Sequence, residues 1–396
     1  MAEVFHERLK APIPTRELER RSRELKLAMK REQIDVILAQ NISQYMGGAN
    51  RWLTDTTAEI NYPQSSFIPL EGEIGYIACS GPPLDLYPPS HLLRIGKPWD
   101  ANPYFSPFNF TWDWEGKMFV RWCEENKPKK IGIAGTEMMM WNYYDYIKKN
   151  LPGVEIIDAS PIIDEIRALK SEDEIVAIEN AVKLQDKVMG YIPAFAQPGV
   201  REYELRNKIM RLIMELGGEE FVVNMGSAPR GEKLDVYPSF FQNRTLQKGD
   251  VLYVRVECSG PGGMFTTVGR MFSIGCEPSA SLLKDWEEAV AAQEKLAGML
   301  QVGMDPQVIF AQYNEYLASK GYVQEEGLFA YGQGYDWIER PSIQPGESMK
   351  LAKDMCMAVN TNLISAEKSV YAADSYLIKP NGAQKLHKTP LIVFRT

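Results

Sequence analysis

Leu246-Gln-Lys-Gly-Asp-Val-Leu-Tyr-Val-Arg-Val-Glu257 is the stretch on which the reading of this chain turns. Lys248-Gly-Asp250 is turn chemistry, and an alternating run follows it. In a strand, Val251, Tyr253, Arg255 and Glu257 share one face, while Leu252, Val254 and Val256 share the other. One face is plain apolar packing. The other carries a cation and a carboxylate two residues apart. An arginine so placed suits a planar anion, which it grips bidentately. The blander account is a buried ion pair, which costs desolvation and adds little net stability.

Further landmarks follow in Gly263 to Arg270, Ala330-Tyr-Gly-Gln-Gly334, Glu339-Arg-Pro341 and Asp374-Ser375. Upstream, Ser171-Glu-Asp-Glu174 is a capping box, and the helix it opens carries Ile175, Ile178, Val182 and Val188 among charges. Gln197-Pro-Gly199 turns into a second helix over Glu202 to Leu216, and short strands dominate from Phe221 onward, with helical intervals over 282–299 and 306–320. Before the capping box the pattern differs. An amphipathic helix over Glu17 to Glu32, apolar strands at Ile34 to Ala39, Gly75 to Ala78 and Lys130 to Ala134, and helices over 117–126 and 138–150 predict an α/β layer domain. Ile156 to Ser160 reads as its last strand, and the boundary is expected at Pro161.

Composition narrows the class. With 396 residues the chain has room for two domains, and its 45% hydrophobic and 24% charged residues are ordinary for a globular protein. A net charge of −8 argues against a nucleic-acid binder. No apolar run approaches a membrane span, and Met1-Ala-Glu-Val-Phe-His is not signal-like, so a cytoplasmic location is expected. Five scattered cysteines, odd in number and without a C-x-x-C pair, fit reduced thiols. Cys258 alone lies near the landmarks, and no histidine is near it in sequence to activate it.

The order and spacing of the landmarks resemble the pita-bread superfamily of creatinase, aminopeptidase P, prolidase and methionine aminopeptidase over roughly residues 160–390. The resemblance implies an α/β N-terminal domain over 1–160 and an α+β pita-bread domain over 161–396, assembled as a homodimer. Metal-dependent members place two aspartates, a histidine and two glutamates around two divalent ions. Here Arg255, six residues after Gly249, stands for the first aspartate, and Thr267, three before Arg270, for the second. Tyr331 takes the histidine slot, Asn360 follows the Met355 to Val359 run in place of the first glutamate, and Ala373 precedes Asp374-Ser375 in place of the last. None of the five is a ligand for a hard divalent ion, so neither metal nor cofactor is expected. Creatinase works without metal but needs a histidine ahead of the first metal position. This chain has Tyr237-Pro-Ser-Phe-Phe241 there, and its histidines are His6, His91 and His387.

The expectation is therefore a metal-independent, creatinase-like hydrolase or lyase acting on a small carboxylate-bearing molecule. Arg255 would anchor the anion, and Glu257 and Tyr331 would share acid–base work, the phenol acidified by the Arg255 cation. Thr267, Asn360 and Glu339 are the expected substrate contacts, with Glu339 also readable as architecture. Arg51 and Trp52, and the aromatic run Tyr104 to Trp114, would reach over a second subunit's site. Two alternatives stand beside this: a catalytically inactive pita-bread protein that binds a small molecule, peptide or partner, and a metal-dependent Xaa-Pro peptidase.

Overall fold

The computed structural model describes residues 13–41, 48–56, 63–79, 93–102, 113–236 and 243–396, and the chain forms two compact units that divide after Arg167. His6, His91, Tyr237 to Phe241 and most of the Tyr104 to Trp114 run lie outside the described residues.

In the first unit, helix α1 (Thr15–Glu32) buries Leu18, Leu25 and Met29 and stops at Gln33, which adopts left-handed φ. Strand β1 (Val36–Asn41), short helix α2 (Gly48–Thr54), and strands β2 (Gln64–Pro69), β3 (Gly75–Cys79) and β4 (Lys97–Asn102) follow. Then come α3 (Trp114–Asn126), β5 (Lys130–Ala134), α4 (Trp141–Asn150), β6 (Glu155–Asp158) and α5 (Ser160–Arg167). The sheet runs β4-β3-β2-β1-β5-β6, with β1, β5 and β6 mutually parallel and β2 antiparallel to β1 and β3. The segment from Pro161, where the boundary was expected, is helical: proline is tolerated in a first turn, and α5 packs against α1 and β5. That packing groups α5 with the first compact unit.

Strand β2 was not expected because Gln64, Ser65 and Ser66 break the apolar pattern, yet all three are buried. Ser66 Oγ donates to Asn50 Oδ1 at 2.5 Å and Gln64 Oε1 accepts from the Tyr76 hydroxyl, while Ser65 is tied to a carboxyl inside this unit. Glu115, 4% exposed, accepts from Ser65 Oγ at 2.8 Å and Gln40 Nε2 at 2.5 Å. Burial outweighs these two donors and raises its pKa to about 7. An acid whose folded pKa is raised adds stability below its unfolded value, and that stability is lost as pH rises through about 7. The loss should approach about 3 kcal/mol. Urea unfolding of the first unit followed from pH 5 to pH 8 should show this decline, and Glu115→Gln should flatten it. An unchanged slope in the variant would place the titrating group elsewhere.

The second unit opens with α6 (Glu172–Phe195), whose capping box is formed as expected: Ser171 Oγ accepts from Glu174 N, and Glu174 Oε2 accepts from Ser171 N. Next are α7 (Glu202–Glu215), β7 (Phe221–Ala228), β8 (Val251–Ser259), β9 (Phe265–Ser273), α8 (Ala280–Met299) and α9 (Pro306–Ser319). The chain ends with β10 (Ala330–Gly332), β11 (Glu339–Ser342), β12 (Cys356–Ile364), β13 (Ser369–Lys379), β14 (Gly382–Lys385) and β15 (Phe394–Arg395). A nine-stranded sheet runs β11-β10-β12-β13-β9-β8-β7, with β14 on β13 and β15 on β9. Its alternation is the one read from the sequence. Leu252, Val254 and Val256 pack with residues of α6 and α7 in one core, while Tyr253 joins a second core with α8 and α9. Gly249, at φ 98°, makes the turn into β8.

Candidate functional site

Register brings the landmark residues together. On β8 and β9, Glu257 faces Thr267 and Arg255 faces Gly269; β13 sets Ala373 against Gly269, and β12 sets Asn360 against Ala373. β10 pairs with β12 through Tyr331 and Ala358, and β7 pairs with β8 through Asn224 and Arg255. Gly269 has no room for a side chain: a Cβ there would come within 2.2 Å of the Tyr253 hydroxyl.

Glu257, fully buried, is the hub of this cluster. Its Oε1 accepts from the Tyr331 hydroxyl at 2.6 Å and Thr267 Oγ1 at 3.3 Å. Its Oε2 accepts from Asn224 Nδ2 at 3.0 Å and faces Arg255 Nε at 3.0 Å. Arg255 Nη1 donates to Asn360 Oδ1 at 3.4 Å. Behind Thr267, Gln333 Nε2 donates to its Oγ1 at 2.8 Å, and Ser375 Oγ donates to Gln333 Oε1 at 2.7 Å. Asn224 and Gln333 were not singled out in the sequence. A lone asparagine in an apolar strand was the only trace of the first, and Gln333 stood inside a glycine-flanked run too short to read.

The protonation chemistry differs from expectation. Burial, with the Glu257 charge added, pushes the Tyr331 phenol well above its ordinary pKa and overrides the opposing Arg255 cation. Tyr331 is therefore a hydrogen-bond donor to Glu257 and not an acidified phenol poised for proton exchange. Burial works against the charge of Arg255, but Glu257 and the phenols of Tyr253 and Tyr331 outweigh it, so the guanidinium stays a cation. The Cys258 thiol is buried and pushed up to about 12, which removes it as a nucleophile.

Other expected contacts are placed differently. The Glu339 carboxylate forms a buried ion pair with Lys170 Nζ at 2.8 Å and accepts from Asp336 N at 3.2 Å, an architectural use. Arg51 and Trp52 are buried inside the first unit, 2% and 1% exposed. The Trp52 carbonyl accepts from Arg21 at 2.8 Å, and its ring lies under the Arg21 guanidinium. Of the three histidines, His387 is described and was passed over. Its Nε2 is 2.8 Å from Gln185 Oε1 and its Nδ1 accepts from Ser375 N at 3.3 Å. Burial holds its pKa down at about 4, so the ring is neutral.

Arg255, 21% exposed on its side chain, opens onto a cavity of about 510 Å³. Asn224, Asp235, Tyr253, Asn362 and Tyr371 complete most of its lining.

A two-domain chain with this curved antiparallel sheet and this cluster at its strand pairs is a pita-bread protein. The family described as Metallopeptidase family M24 matches residues 176–380, and the chain belongs to it. It is 23% identical over 335 residues to an Xaa-Pro dipeptidase of Pyrococcus horikoshii, covering 83% of this chain and 90% of that one. A probable dipeptidase PepE of Mycobacterium bovis is 25% identical over 245 residues, 60% of this chain and 63% of that one, just under two thirds of the relative. Among solved structures, a prolidase from Thermococcus sibiricus superposes with a TM-score of 0.78 at 22% identity, over 96% of this chain and 99% of that one.

These likenesses overturn the expected metal-independent, creatinase-like hydrolase or lyase. The family is one of peptidases, and the relatives' names favour the Xaa-Pro peptidase alternative. Non-ligands at the metal positions, together with the Gly263 to Arg270 run, had pointed to creatinase.

The metal that the family name implies does not fit the residues present. Glu257 has both oxygens engaged, one of them by a guanidinium, and the positions around it supply a hydroxyl, an amide, a phenol and a methyl group. Among the described residues no three of His, Cys, Asp or Glu gather as a metal set. Hard divalent ions need several anionic oxygens or imidazoles.

Proposed function

We propose that this chain recognises short peptides of the Xaa-Pro kind in the cavity beside Arg255. The observation that carries the reading is the cavity itself. At about 510 Å³ it has the size of a small-ligand site, and its lining joins a guanidinium and a carboxylate, Arg255 and Asp235, with the amides of Asn224 and Asn362. A dipeptide zwitterion offers the complementary charges, and Tyr253 and Tyr371, whose ring centroids are 5.1 Å apart, offer apolar faces to a pyrrolidine ring. In this reading Arg255, Asn224 and Asn362 form the polar floor, and Glu257, itself held by Tyr331 and Thr267, keeps Arg255 in position. The substrate class comes from the peptidase relatives. The donor set favours capture of the peptide over its cleavage.

A second reading, divalent-dependent hydrolysis of Xaa-Pro dipeptides, is favoured by the names of the relatives. One experiment separates the two. Gly-Pro and Met-Pro are titrated calorimetrically into the full chain, and proline release is measured with and without added Mn²⁺ or Co²⁺. Binding without release, unaltered by the ions, is expected. Ion-stimulated release would establish the second reading, and no binding under either condition would remove the peptide as ligand. The proposal places the protein in the cytoplasm as a homodimer. The free thiols of Cys123, Cys258, Cys276 and Cys356 fit that compartment.

A further inference from the structure

We infer that Arg255 has taken over the electrostatic role of the family's divalent ions, so that this site captures a ligand's carboxylate on a guanidinium and has no place for a divalent cation. The inference rests on the site assigned above, but not on the ligand being a dipeptide.

Three features carry it. First, the cluster is already neutralised. The Glu257 charge is met by Arg255 Nε at 3.0 Å on one oxygen and by the Tyr331 proton at 2.6 Å on the other. A divalent ion entering here would have to displace both and approach a fixed cation, and beyond the single Glu257 carboxylate it would gain only the neutral oxygens of Thr267 and Asn360. Second, the guanidinium is oriented. Glu257 Oε2 lies 3.0 Å from its Nε as an ion pair, Nη1 donates to Asn360 Oδ1 at 3.4 Å, and the side chain opens onto the cavity. A planar carboxylate on that edge would receive charge-assisted hydrogen bonds, the strong class of such contacts. Third, the neighbours suit an anion. The Asn224 amide spends one N–H on Glu257 Oε2 at 3.0 Å, and the Asn362 amide lines the same cavity. Asp235, also in the lining, sets the opposite pole and would disfavour an anion placed away from Arg255.

The test uses the full chain and two probes, L-proline and pyrrolidine, which differ by the carboxylate. Metal content is measured after purification without chelator, and thermal unfolding is followed with EDTA, with Mn²⁺ or Zn²⁺, and with each probe. No stoichiometric metal, a melting temperature unmoved by EDTA or the ions, and a rise with L-proline but not pyrrolidine are expected. Arg255→Ala should abolish that rise, and Arg255→Lys, which keeps the charge without the fork, should retain part of it. Where Arg255→Ala does not fold, Arg255→Gln serves, since it keeps the aliphatic stem. Stoichiometric ions or an EDTA-sensitive melt overturn the inference, and so does equal response to the two probes or to neither. If proline binds and dipeptides do not, the peptide reading falls while this one stands. Dipeptide binding that requires Mn²⁺ does the reverse.

Discussion

Replacing Arg270 with methionine is expected to destabilise the second unit by about 3–5 kcal/mol, the cost of breaking a buried ion pair from one side. The guanidinium has no solvent exposure and uses its whole fork. Nε donates to the Pro390 carbonyl, Nη1 to the Gly269 and Ala373 carbonyls, and Nη2 to Thr389 O and Asp374 Oδ1, each between 2.8 and 2.9 Å. These partners tie β9 to β13 and to the terminal segment, so losing the fork strands several carbonyls as well as one charge. The Asp374 carboxylate would keep only Gln293 Nε2 at 3.2 Å, with neutral His387 nearby. Urea unfolding at neutral pH measures the loss. The double variant Arg270→Met with Asp374→Leu should recover much of it, because a well-packed apolar pair removes the stranded charge. A cost below about 1 kcal/mol in the single variant would show that relaxation or water relieves the buried carboxylate, and the pair would then lose its structural standing.

Arg270 shows which kind of signal the sequence carried. Strand alternation told which face of β8 held Arg255 and Glu257, and fixed spacings from Gly249, Arg270 and Asp374 identified residues that the structure does bring into one cluster. These signals are local: period, turn chemistry and distance along the chain. What depended on cross-strand neighbours stayed hidden. Asn224 reaches Glu257 from β7 and Gln333 reaches Thr267 from beyond β10, and neither link has a sequence period. The buried Gln64-Ser65-Ser66 strand escaped for the same reason, since Ser65 is made tolerable inside by Glu115, fifty residues away. Electrostatics were misread where burial competes with charge. A cation beside Tyr331 suggested an acidified phenol, but desolvation and Glu257 act in the opposite direction and are the larger effects. The inference from the replaced ligand positions to a creatinase-like reaction was not sound, because a shared scaffold and spacing do not by themselves fix the reaction.

Glu257→Ala is the variant that most directly probes the cluster, and it should cost about 3 kcal/mol or more in stability. The carboxylate is fully buried and satisfies the Tyr331 hydroxyl, Thr267 Oγ1, Asn224 Nδ2 and the Arg255 cation at once. Its removal leaves three polar donors short of a partner, each at about 1–3 kcal/mol if water does not reach it, beside a cation that can turn only partly toward the cavity. A double-mutant cycle with Arg255→Ala isolates the pair, and a coupling above about 1 kcal/mol is expected for groups in this contact. Glu257→Gln separates structure from recognition, because it keeps the shape while removing the internal anion that competes for Arg255. If the guanidinium is the ligand's anchor, the affinity for L-proline should rise in Glu257→Gln even as stability falls. If the cluster instead held a divalent ion through its buried carboxylate, the same change would weaken binding and metal uptake together. Opposite signs from one substitution make this comparison decisive for whether the chain recognises its ligand through arginine or through metal.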